Sequence, residues 1–423
     1  MISLQTINES YSSVFGMMIK VLRTSQKLTL RGLAKKASLS HTFLNKLEHG
    51  EVNITKETYD KLTNALAFNI NFDEKLNQAF FNLSHTLQDA RYFGTLDEMV
   101  YLMDELESHE YYYLNSFLMI EYMAFYASIY YLPKYKKVDK AKAYIDLIST
   151  IEDMLTNNLL EYYTVAKSAY NFHFEMYDES LKYAINLIET YPMSRFIGIY
   201  YYFTGRVYSE LYQMTQSNDY FHRAIRIFEQ QNNLRRVMYT KLYIEINNIK
   251  MYRYTKAEKT FNQIIQYAKK ESLSQLLVLA KLNRMIYYVL SEQYHEAILA
   301  SKDFPLYTNQ YYFYLAFAYL KINDFEQLKK AIFEGRNTPH KVHEVHAIND
   351  KGFDFLEALI TKKHPELEKR LSAFFEATLD ANAYVKSQIA YDYYINYLVE
   401  NRQYKKAYDV TQTMIDVTKK VMQ

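Results

Sequence analysis

Short amphipathic segments separated by polar turns fill the chain from residue 22 to residue 66. In the best-defined segment, Ser40–Gly50, the apolar side chains follow the i, i+1, i+4 spacing of one buried helix face: Phe43, Leu44 and Leu47. The stretch predicts four or five short helices. The middle two, Thr29–Ala37 and Ser40–Gly50, have the lengths and spacing of a helix-turn-helix.

The residues around the turn agree with this prediction. Ala34 is small enough to let a second helix cross closely, and Ser40 is a favoured N-cap for that second helix. Gly50 supplies the left-handed conformation that commonly ends a helix. We also expect Arg23, on the preceding helix, to form an ion pair with Glu48 near the end of the second helix.

The polar face of the second helix is the candidate DNA-reading surface. Its outward side chains are short, polar or basic, which suits base edges and phosphates in a major groove. We predict that four of them read bases: Ser40, His41, Thr42 and Asn45. Three basic side chains are predicted to hold phosphates: Arg31, Lys35 and Lys46. The alternative is a small helical bundle that does not bind DNA.

This stretch, over about residues 14–70, resembles the Cro/repressor-like (XRE) family. The positions that carry the resemblance are Leu33-Ala34, Ala37, Ser40, Phe43-Leu44, Leu47 and Glu48-His49-Gly50. Two positions depart from the family pattern: Ser38 replaces the usual glycine of the turn, and Leu30 replaces a glutamine that often opens the first helix. Leu30 cannot hydrogen-bond to a base or a phosphate, so Arg31 is the candidate for that contact.

Composition narrows the class of protein. Eight Gly and five Pro in 423 residues are too few for a turn-rich sheet protein, which favours an almost entirely helical chain. The absence of Cys excludes a disulfide scaffold and suits a reducing cytoplasm, and no apolar run is long enough for a membrane helix. Residues 1–70 carry nine Lys/Arg against five Asp/Glu, whereas the remainder carries 41 against 43. A basic head on a near-neutral body fits phosphate attraction at one end.

From residue 74 onward one element recurs: an apolar-periodic helix, a short polar turn, an aromatic or aliphatic residue, and a small or aliphatic residue three positions later. The copies begin at Leu96, Val138, Tyr177, Phe221, Tyr254, Tyr294, Phe325, Pro365 and Tyr404. Their spacing of 31 to 44 residues brackets the tetratricopeptide (TPR) period of about 34. We expect about nine helix pairs in a right-handed α-solenoid whose first helices line a concave face. Irregular helical packing without a groove is the alternative.

The sequence therefore predicts an all-α chain of two domains, a helix-turn-helix DNA-binding domain over residues 1–70 and a TPR-like repeat domain over residues 74–423. A solenoid with a long groove normally holds an extended or helical peptide. On the TPR frame, the side chains on or near the concave ridge are Tyr202, Arg206, Tyr243, Asn247, Asn283 and Tyr314. Asn carboxamides pair with a peptide backbone, Tyr rings cover its side chains, and an Arg binds a carboxylate.

The combination of an XRE-like head and a TPR-like body resembles the RRNPP superfamily of Gram-positive bacterial cell-to-cell signalling regulators. The resemblance implies a cytoplasmic homodimer, with dimerisation through the repeat domain, that binds an inverted-repeat DNA operator. It also implies that a short imported signalling peptide switches that transcription regulator. Members whose head has lost DNA binding act on protein partners. The alternative function is therefore a TPR-like adaptor that binds or sequesters a protein partner, with the head used for docking or dimerisation.

Signals for catalysis or cofactor binding are weak. The sequence has no Gly-rich phosphate loop, no G-x-S-x-G elbow and no H-E-x-x-H. His340, His343 and His346 are spaced three apart with Glu344 nearby, but such spacing sweeps round a helix and favours a solvated or capping role over metal binding. We expect no enzymatic activity, no cofactor and no metal.

Overall fold

The computed structural model describes residues 4–94, 96–129, 137–251, 253–254, 257–302, 304, 306–339, 346–361, 366–381 and 383–422. All regular secondary structure within these ranges is helical, as predicted. The chain divides into two compact units, residues 1–207 and 208–423. Among the described helices, none combines the length and the apolar character that crossing a membrane requires.

The first unit contains α1 Leu4–Ser10, α2 Ser12–Ser25, α3 Leu30–Lys36, α4 His41–Glu48, α5 Lys56–Leu66, α6 Glu74–Phe93, α7 Leu96–Ser108, α8 Glu110–Leu114, α9 Met119–Ile129, α10 Val138–Ser149, a 3₁₀ turn Glu152–Met154, α11 Asn157–His173 and α12 Tyr177–Thr190. Helix α13, Ile197–Glu210, begins in the first unit and ends in the second. The second unit continues with α14 Met214–Gln230, α15 Leu234–Lys250, α16 Ala257–Lys270, α17 Ser274–Leu290, α18 Tyr294–Ala300, α19 Asn309–Lys321, α20 Phe325–Asn337, α21 His346–Thr361, α22 Glu366–Asp380, α23 Tyr384–Glu400 and α24 Tyr404–Met422.

The first five helices form the predicted helix-turn-helix head. Thr29 caps α3 and Ser40 caps α4, because each side-chain oxygen accepts a hydrogen bond from the backbone N–H three residues further on (3.0 and 3.1 Å). Between the two helices Ser38 has a φ of +50°, at the position where the XRE pattern has glycine. Gly50 ends α4 with a φ of +70°, which confirms the predicted left-handed terminus.

The head packs directly against other helices of the first unit. Apolar side chains of its helices and of the helices between α6 and α11 form one continuous core. Tyr11 stacks on Phe117 with 4.4 Å between ring centroids, and Lys20 Nζ lies 3.8 Å from a carboxylate oxygen of Asp153. Residues 68–73 are not helical, so the predicted domain boundary falls in a real break between helices. The division into domains at that break stays a prediction.

Beyond the head, the helices form successive hairpins. In the first unit, α6 packs on α7, α9 on α10 and α11 on α12; in the second unit, α15 packs on α16, α17 on α18, α19 on α20, α21 on α22 and α23 on α24. Helices α13 and α14 come between these two sets of hairpins in the sequence, so nine pairs of consecutive helices follow one another along the described part of the chain. This is the number that the sequence predicts.

Five of the turns inside these pairs share one backbone arrangement. In each turn, one non-glycine residue adopts the left-handed conformation, with a positive φ of 55° to 62°: Glu175, Tyr212, Glu292, Asn323 and Arg402. In each turn, the N–H of the following residue donates to the carbonyl five positions earlier, over 2.8 to 3.0 Å. This is the Schellman helix end, which satisfies carbonyls that the first helix leaves open. It accounts for the recurring polar turn followed by an aromatic residue in the sequence.

The predicted repeat at Phe221 is wrong in its position. Helix α14 begins at Met214, so Phe221 lies two turns inside it, and the turn falls at Tyr212. With Ser217 in the small position, the spacing from Ser180 becomes 37 residues, close to the other copies. An aromatic residue three positions before an alanine also occurs within amphipathic helices, which is why the pattern misled. The predicted copies at Tyr254 and Pro365 include positions that lie outside the described residues.

In the second unit, the first helices of the hairpins contact one another in sequence, α15 with α17, α17 with α19 and α19 with α21. The last helix, α24, also contacts α14, and the Tyr384 hydroxyl lies near that of Tyr254, whose pKa burial raises to about 12. The hairpins of this unit therefore return on themselves.

Candidate DNA-reading and ligand-binding surfaces

Helices α3 and α4 present the predicted DNA-reading side chains to solvent. All seven are exposed: Arg31, Lys35, Ser40, His41, Thr42, Asn45 and Lys46. The opposite side of the pair is fully buried, with Leu33 and Leu44 each 0% exposed. Because α3 and α4 contact each other, the structure brings the seven side chains onto adjoining helices. Their contact with DNA stays a prediction.

Ser40 has a structural role as well as a predicted recognition role. Its Oγ accepts the backbone N–H of Phe43, which starts α4. The hydroxyl keeps its own proton, so the same side chain can donate to an acceptor on DNA. The N-terminus of α4 also carries a positive partial charge that favours a nearby phosphate.

A buried ion pair fixes α4 against α2, as the sequence predicts. Arg23 Nε and Nη2 donate to the two carboxylate oxygens of Glu48 over 2.7 and 2.9 Å. Nη1 of the same guanidinium donates to the carbonyl of Leu28 over 2.8 Å, in the turn before α3. The Glu48 side chain is only 2% exposed. This bidentate contact joins three segments of the head in one geometry.

Sequence reasoning missed a contact that brings α2 and α4 close together. A Cβ atom placed on Gly16 would lie 2.3 Å from the carbonyl oxygen of Leu47 and 2.8 Å from that of Glu48. Only a glycine allows α2 to approach the end of α4 so closely. A glycine inside an amphipathic helix is the signal that pointed to it.

The six predicted peptide-binding residues are divided between the two units. Tyr202 and Arg206 belong to the first unit, and both are half-buried on α13. The Arg206 guanidinium lies 5.4 Å from the ring centroid of Phe172. For these two residues the peptide-binding role stays a prediction.

In the second unit, two of the predicted residues point into the protein. Asn247 is 0% exposed, and its carboxamide accepts a hydrogen bond from Ser209 Oγ (2.8 Å) and donates to Ser217 Oγ (2.8 Å) and Asn218 Oδ1 (2.9 Å). Tyr314 is 2% exposed, and burial raises the pKa of its hydroxyl. In this conformation both side chains pack inside the helix stack, and neither faces an open groove.

Tyr243 and Asn283 remain partly accessible. The Tyr243 ring packs 5.9 Å from the ring of Phe221, centroid to centroid. Asn283 Nδ2 donates to the carbonyl of Leu279 one turn earlier (2.9 Å), which leaves its Oδ1 as an acceptor. These two side chains lie on α15 and α17, which contact each other. They are the members of the predicted set that can meet a ligand in the second unit.

A groove that the sequence did not indicate lies between α23 and α24. It has a volume of about 440 Å³ and a mainly apolar lining: Tyr384, Gln388, Tyr391, Thr411, Met414, Ile415, Thr418 and Lys419. This volume falls in the range of small-ligand sites. Its residues are separated by a turn and carry no motif, so the sequence alone gives no reason to group them.

The histidine segment that the sequence singled out as a weak metal candidate lies largely outside the described residues, which exclude 340–345. Within the described ranges, no group of three or more His, Cys, Asp or Glu is arranged to hold a metal ion.

Comparison with known proteins agrees with both parts of this description. The helix-turn-helix family model HTH_3 matches residues 19–72. No curated protein matches the chain in sequence. Among solved structures, the chain is similar to a Rap protein complexed with competence and sporulation factor (TM-score 0.63, 15% identity, 82% of this chain and 99% of that one). It is also similar to the apo form of the quorum sensor NprR from B. thuringiensis (TM-score 0.60, 14% identity, 81% of this chain and 99% of that one). A further similar structure is NprR in complex with its cognate peptide NprX (TM-score 0.57, 13% identity, 82% of this chain and 99% of that one).

The class of protein follows from these matches. The chain joins a helix-turn-helix head to a TPR-like helical body, and the predicted fold class is confirmed. Its fold is similar to that of Rap and of NprR over about four fifths of the chain. At this level of identity the likeness concerns the fold.

Proposed function

We propose that the protein is a sequence-specific DNA-binding transcription regulator whose TPR-like domain senses a short signalling peptide, and that the peptide changes operator binding. The observation that carries this proposal is the exposed polar face of α4. The buried Arg23–Glu48 pair holds this helix in place, and residues 19–72 around it match a helix-turn-helix family model. A surface that is polar outside and rigidly supported inside is what reading bases requires. The similar fold of NprR, solved with its cognate peptide NprX, supports the sensing half.

The proposal includes an assembly and a location. We assign DNA binding to residues 1–70, and peptide binding and dimerisation to residues 74–423, in a cytoplasmic homodimer. A two-fold dimer of such heads fits an inverted repeat with half-sites about one helical turn, or a multiple of it, apart. Light scattering on the purified chain tests the dimer, and the spacing of selected DNA sites tests the symmetry.

Selection of DNA from a random duplex pool tests the DNA-binding half. We expect an inverted repeat to be enriched, and His41→Ala or Asn45→Ala to lower affinity for it about tenfold, because each removes a base contact. Lys61→Ala is the matched control, since Lys61 lies on α5 and pairs with Glu57 rather than facing DNA in this account. Retention of DNA without any enriched sequence would remove this half of the proposal.

Peptides encoded beside the gene test the sensing half. A small frame for a secreted peptide near the gene supplies the candidate, and its processed fragments are added to the protein–operator complex. We expect one fragment to change operator affinity, and Tyr243→Ala and Asn283→Ala to weaken its effect without altering DNA binding in its absence.

A protein partner is the competing function. An adaptor would form a stoichiometric protein complex that survives the double substitution Arg31→Ala, Lys46→Ala, because those side chains serve DNA phosphates in our account. A pull-down that returns operator DNA with the wild type and none with the double variant favours the regulator.

A further inference from the structure

A buried ammonium group lies among the first helices of three successive hairpins in the second unit. Lys386, on α23, is 3% exposed, and its Nζ donates to Oδ1 of Asn349 on α21 over 2.5 Å. The ring centroids of Phe313 and Tyr314, on α19, lie 5.3 and 5.8 Å from the same Nζ. Side chains from three consecutive first helices meet at this point, which is the side of the stack where those helices approach one another.

This cluster has more hydrogen-bond donors than acceptors. An ammonium has three N–H donors, and one of them is used by Asn349. The Nδ2 of Asn349 is buried and meets no hydrogen-bond acceptor in the part of the chain that the structure describes. Burial lowers the pKa of Lys386 to about 7, with no carboxylate contributing to the shift.

Burying these donors lowers the stability of the folded protein unless a further group supplies hydrogen-bond acceptors. A buried donor without an acceptor loses its hydrogen bonds to water and gains none in return, and a buried charge without a counter-ion loses more. Phe313 and Tyr314 compensate only in part, since a ring attracts a cation but accepts no strong hydrogen bond. A compact anion with two acceptor oxygens would both pair the charge and accept from the amide.

We propose that Lys386 and Asn349 form a binding site for the carboxylate of a short peptide. One carboxylate oxygen accepts from Lys386 Nζ and the other from Asn349 Nδ2, which pairs the charge and satisfies the amide. The rings of Phe313 and Tyr314 then pack on the apolar atoms next to the carboxylate. The inference rests on the proposed peptide sensing by the second unit, and it adds the chemistry that the ligand must carry there.

The burial of the site also links binding to conformation. Lys386 is inaccessible in this structure, so a carboxylate reaches it only when the first helices separate. A ligand that binds only the separated arrangement shifts the population towards it. Uptake at this site therefore changes the spacing of α19, α21 and α23.

Three random pentapeptide libraries, retained on the purified full-length chain and quantified by mass spectrometry, test the site. The first lacks Asp and Glu and has free C-termini, the second lacks Asp and Glu and is amidated, and the third contains Asp and Glu and is amidated. We expect retention from the first or the third to exceed that from the second at least tenfold. Retention of the first library shows that the bound carboxylate is the C-terminus of the peptide, and retention of the third shows that it is an Asp or Glu side chain.

Two substitutions connect this result to the site. Lys386→Met keeps the volume and removes the charge, and Asn349→Leu removes the amide; both are expected to reduce the tenfold preference to no preference. Lys405→Met, at an exposed position of α24, is the matched control and keeps the preference. Equal retention from all three libraries, or a preference that survives Lys386→Met, overturns the carboxylate site alone. No retention from any library overturns peptide sensing and the site with it.

Discussion

Two buried charges, Glu48 and Lys386, lie in very different surroundings. Glu48 accepts two hydrogen bonds from Arg23, whereas Lys386 has a single amide oxygen and two rings. A paired buried charge holds elements in one geometry, while an unpaired one costs stability until a partner arrives. We therefore assign the first to the support of α4 and the second to ligand binding.

The support role predicts that Glu48→Ala loosens the head. Removing the carboxylate leaves the Arg23 guanidinium partly buried without its counter-ion, a loss of about 3–5 kcal/mol by analogy with other buried pairs. Amides of α2 and α4 should then exchange hydrogen at least about a hundredfold faster, as measured by mass spectrometry. Glu51→Ala, at an exposed position three residues on, is the control and should leave exchange unchanged. Equal protection in the Glu48 variant would contradict this role.

Lys386 predicts a pH dependence with a definite sign. Its folded pKa is about 7, below the ordinary value of 10.5, so the unfolded chain binds the extra proton between these values. The cost of burying the lysine is thus complete below pH 7 and falls as the pH rises from 7 towards 10.5. Urea unfolding of the wild type should gain about 2 kcal/mol from pH 7 to pH 9 relative to Lys386→Met. Parallel curves for the two proteins would refute the buried charge.

Single residues were predicted unevenly from the sequence. The exposed face of α4 and the Arg23–Glu48 pair followed from helical spacing over short distances, where 3.6 residues per turn fixes direction well. Asn247 and Tyr314 were predicted on a groove, yet they are buried, because their direction depends on how neighbouring hairpins of the second unit close. The sequence does not indicate that Lys386 is buried or that it belongs to a site, since a lysine in a helix usually faces solvent.

At the scale of elements, the hairpin turns contain non-glycine residues in a strained backbone conformation. Five turns place a non-glycine residue in the left-handed region, and Glu292, with a φ of +60°, is an exposed example between α17 and α18. A side chain there contacts its own backbone, at a cost of about 1–2 kcal/mol relative to glycine. The Schellman hydrogen bonds offset this cost.

We expect Glu292→Gly to stabilise the second unit by up to about 1 kcal/mol, because glycine adopts this φ freely and the gain is reduced by its larger entropy when unfolded. The matched control is Glu376→Gly, at an exposed helical position of α22, which should destabilise by about 1 kcal/mol. Thermal unfolding of the two variants measures both. A loss of stability in the Glu292 variant would show that the turn does not have the described backbone.

The repeat pattern illustrates how far element prediction reaches. The sequence predicts the number of helix pairs and most second-helix starts, because an aromatic residue, with a small residue three positions later, recurs just after each turn. The error at Phe221 arose since the same spacing occurs inside α14, and only the preceding Schellman bond distinguishes a turn from a helix. That bond involves backbone atoms and leaves little trace in residue identity.

At the scale of the whole molecule, our proposal gives the head and the body separate tasks, but the head is packed firmly against other helices of the first unit. Tyr11 stacks on Phe117, and the polar side chain of Lys20 approaches Asp153, so α2 is held against helices of the first unit. The side of α4 that carries His41 and Asn45 stays exposed. The first unit therefore holds the proposed reading surface in a fixed orientation, which recognition of two half-sites at a set spacing would require.

The most direct test of the account is the salt dependence of binding to the selected operator and to a scrambled duplex, measured by fluorescence anisotropy. We predict that the wild type prefers the operator at every salt concentration and that Lys46→Ala lowers the slope of log affinity against log salt by about one for both duplexes. Asn45→Ala should lower affinity for the operator towards that for the scrambled duplex and leave the slope unchanged. Equal binding of the wild type to both duplexes would contradict the proposal that α4 reads DNA.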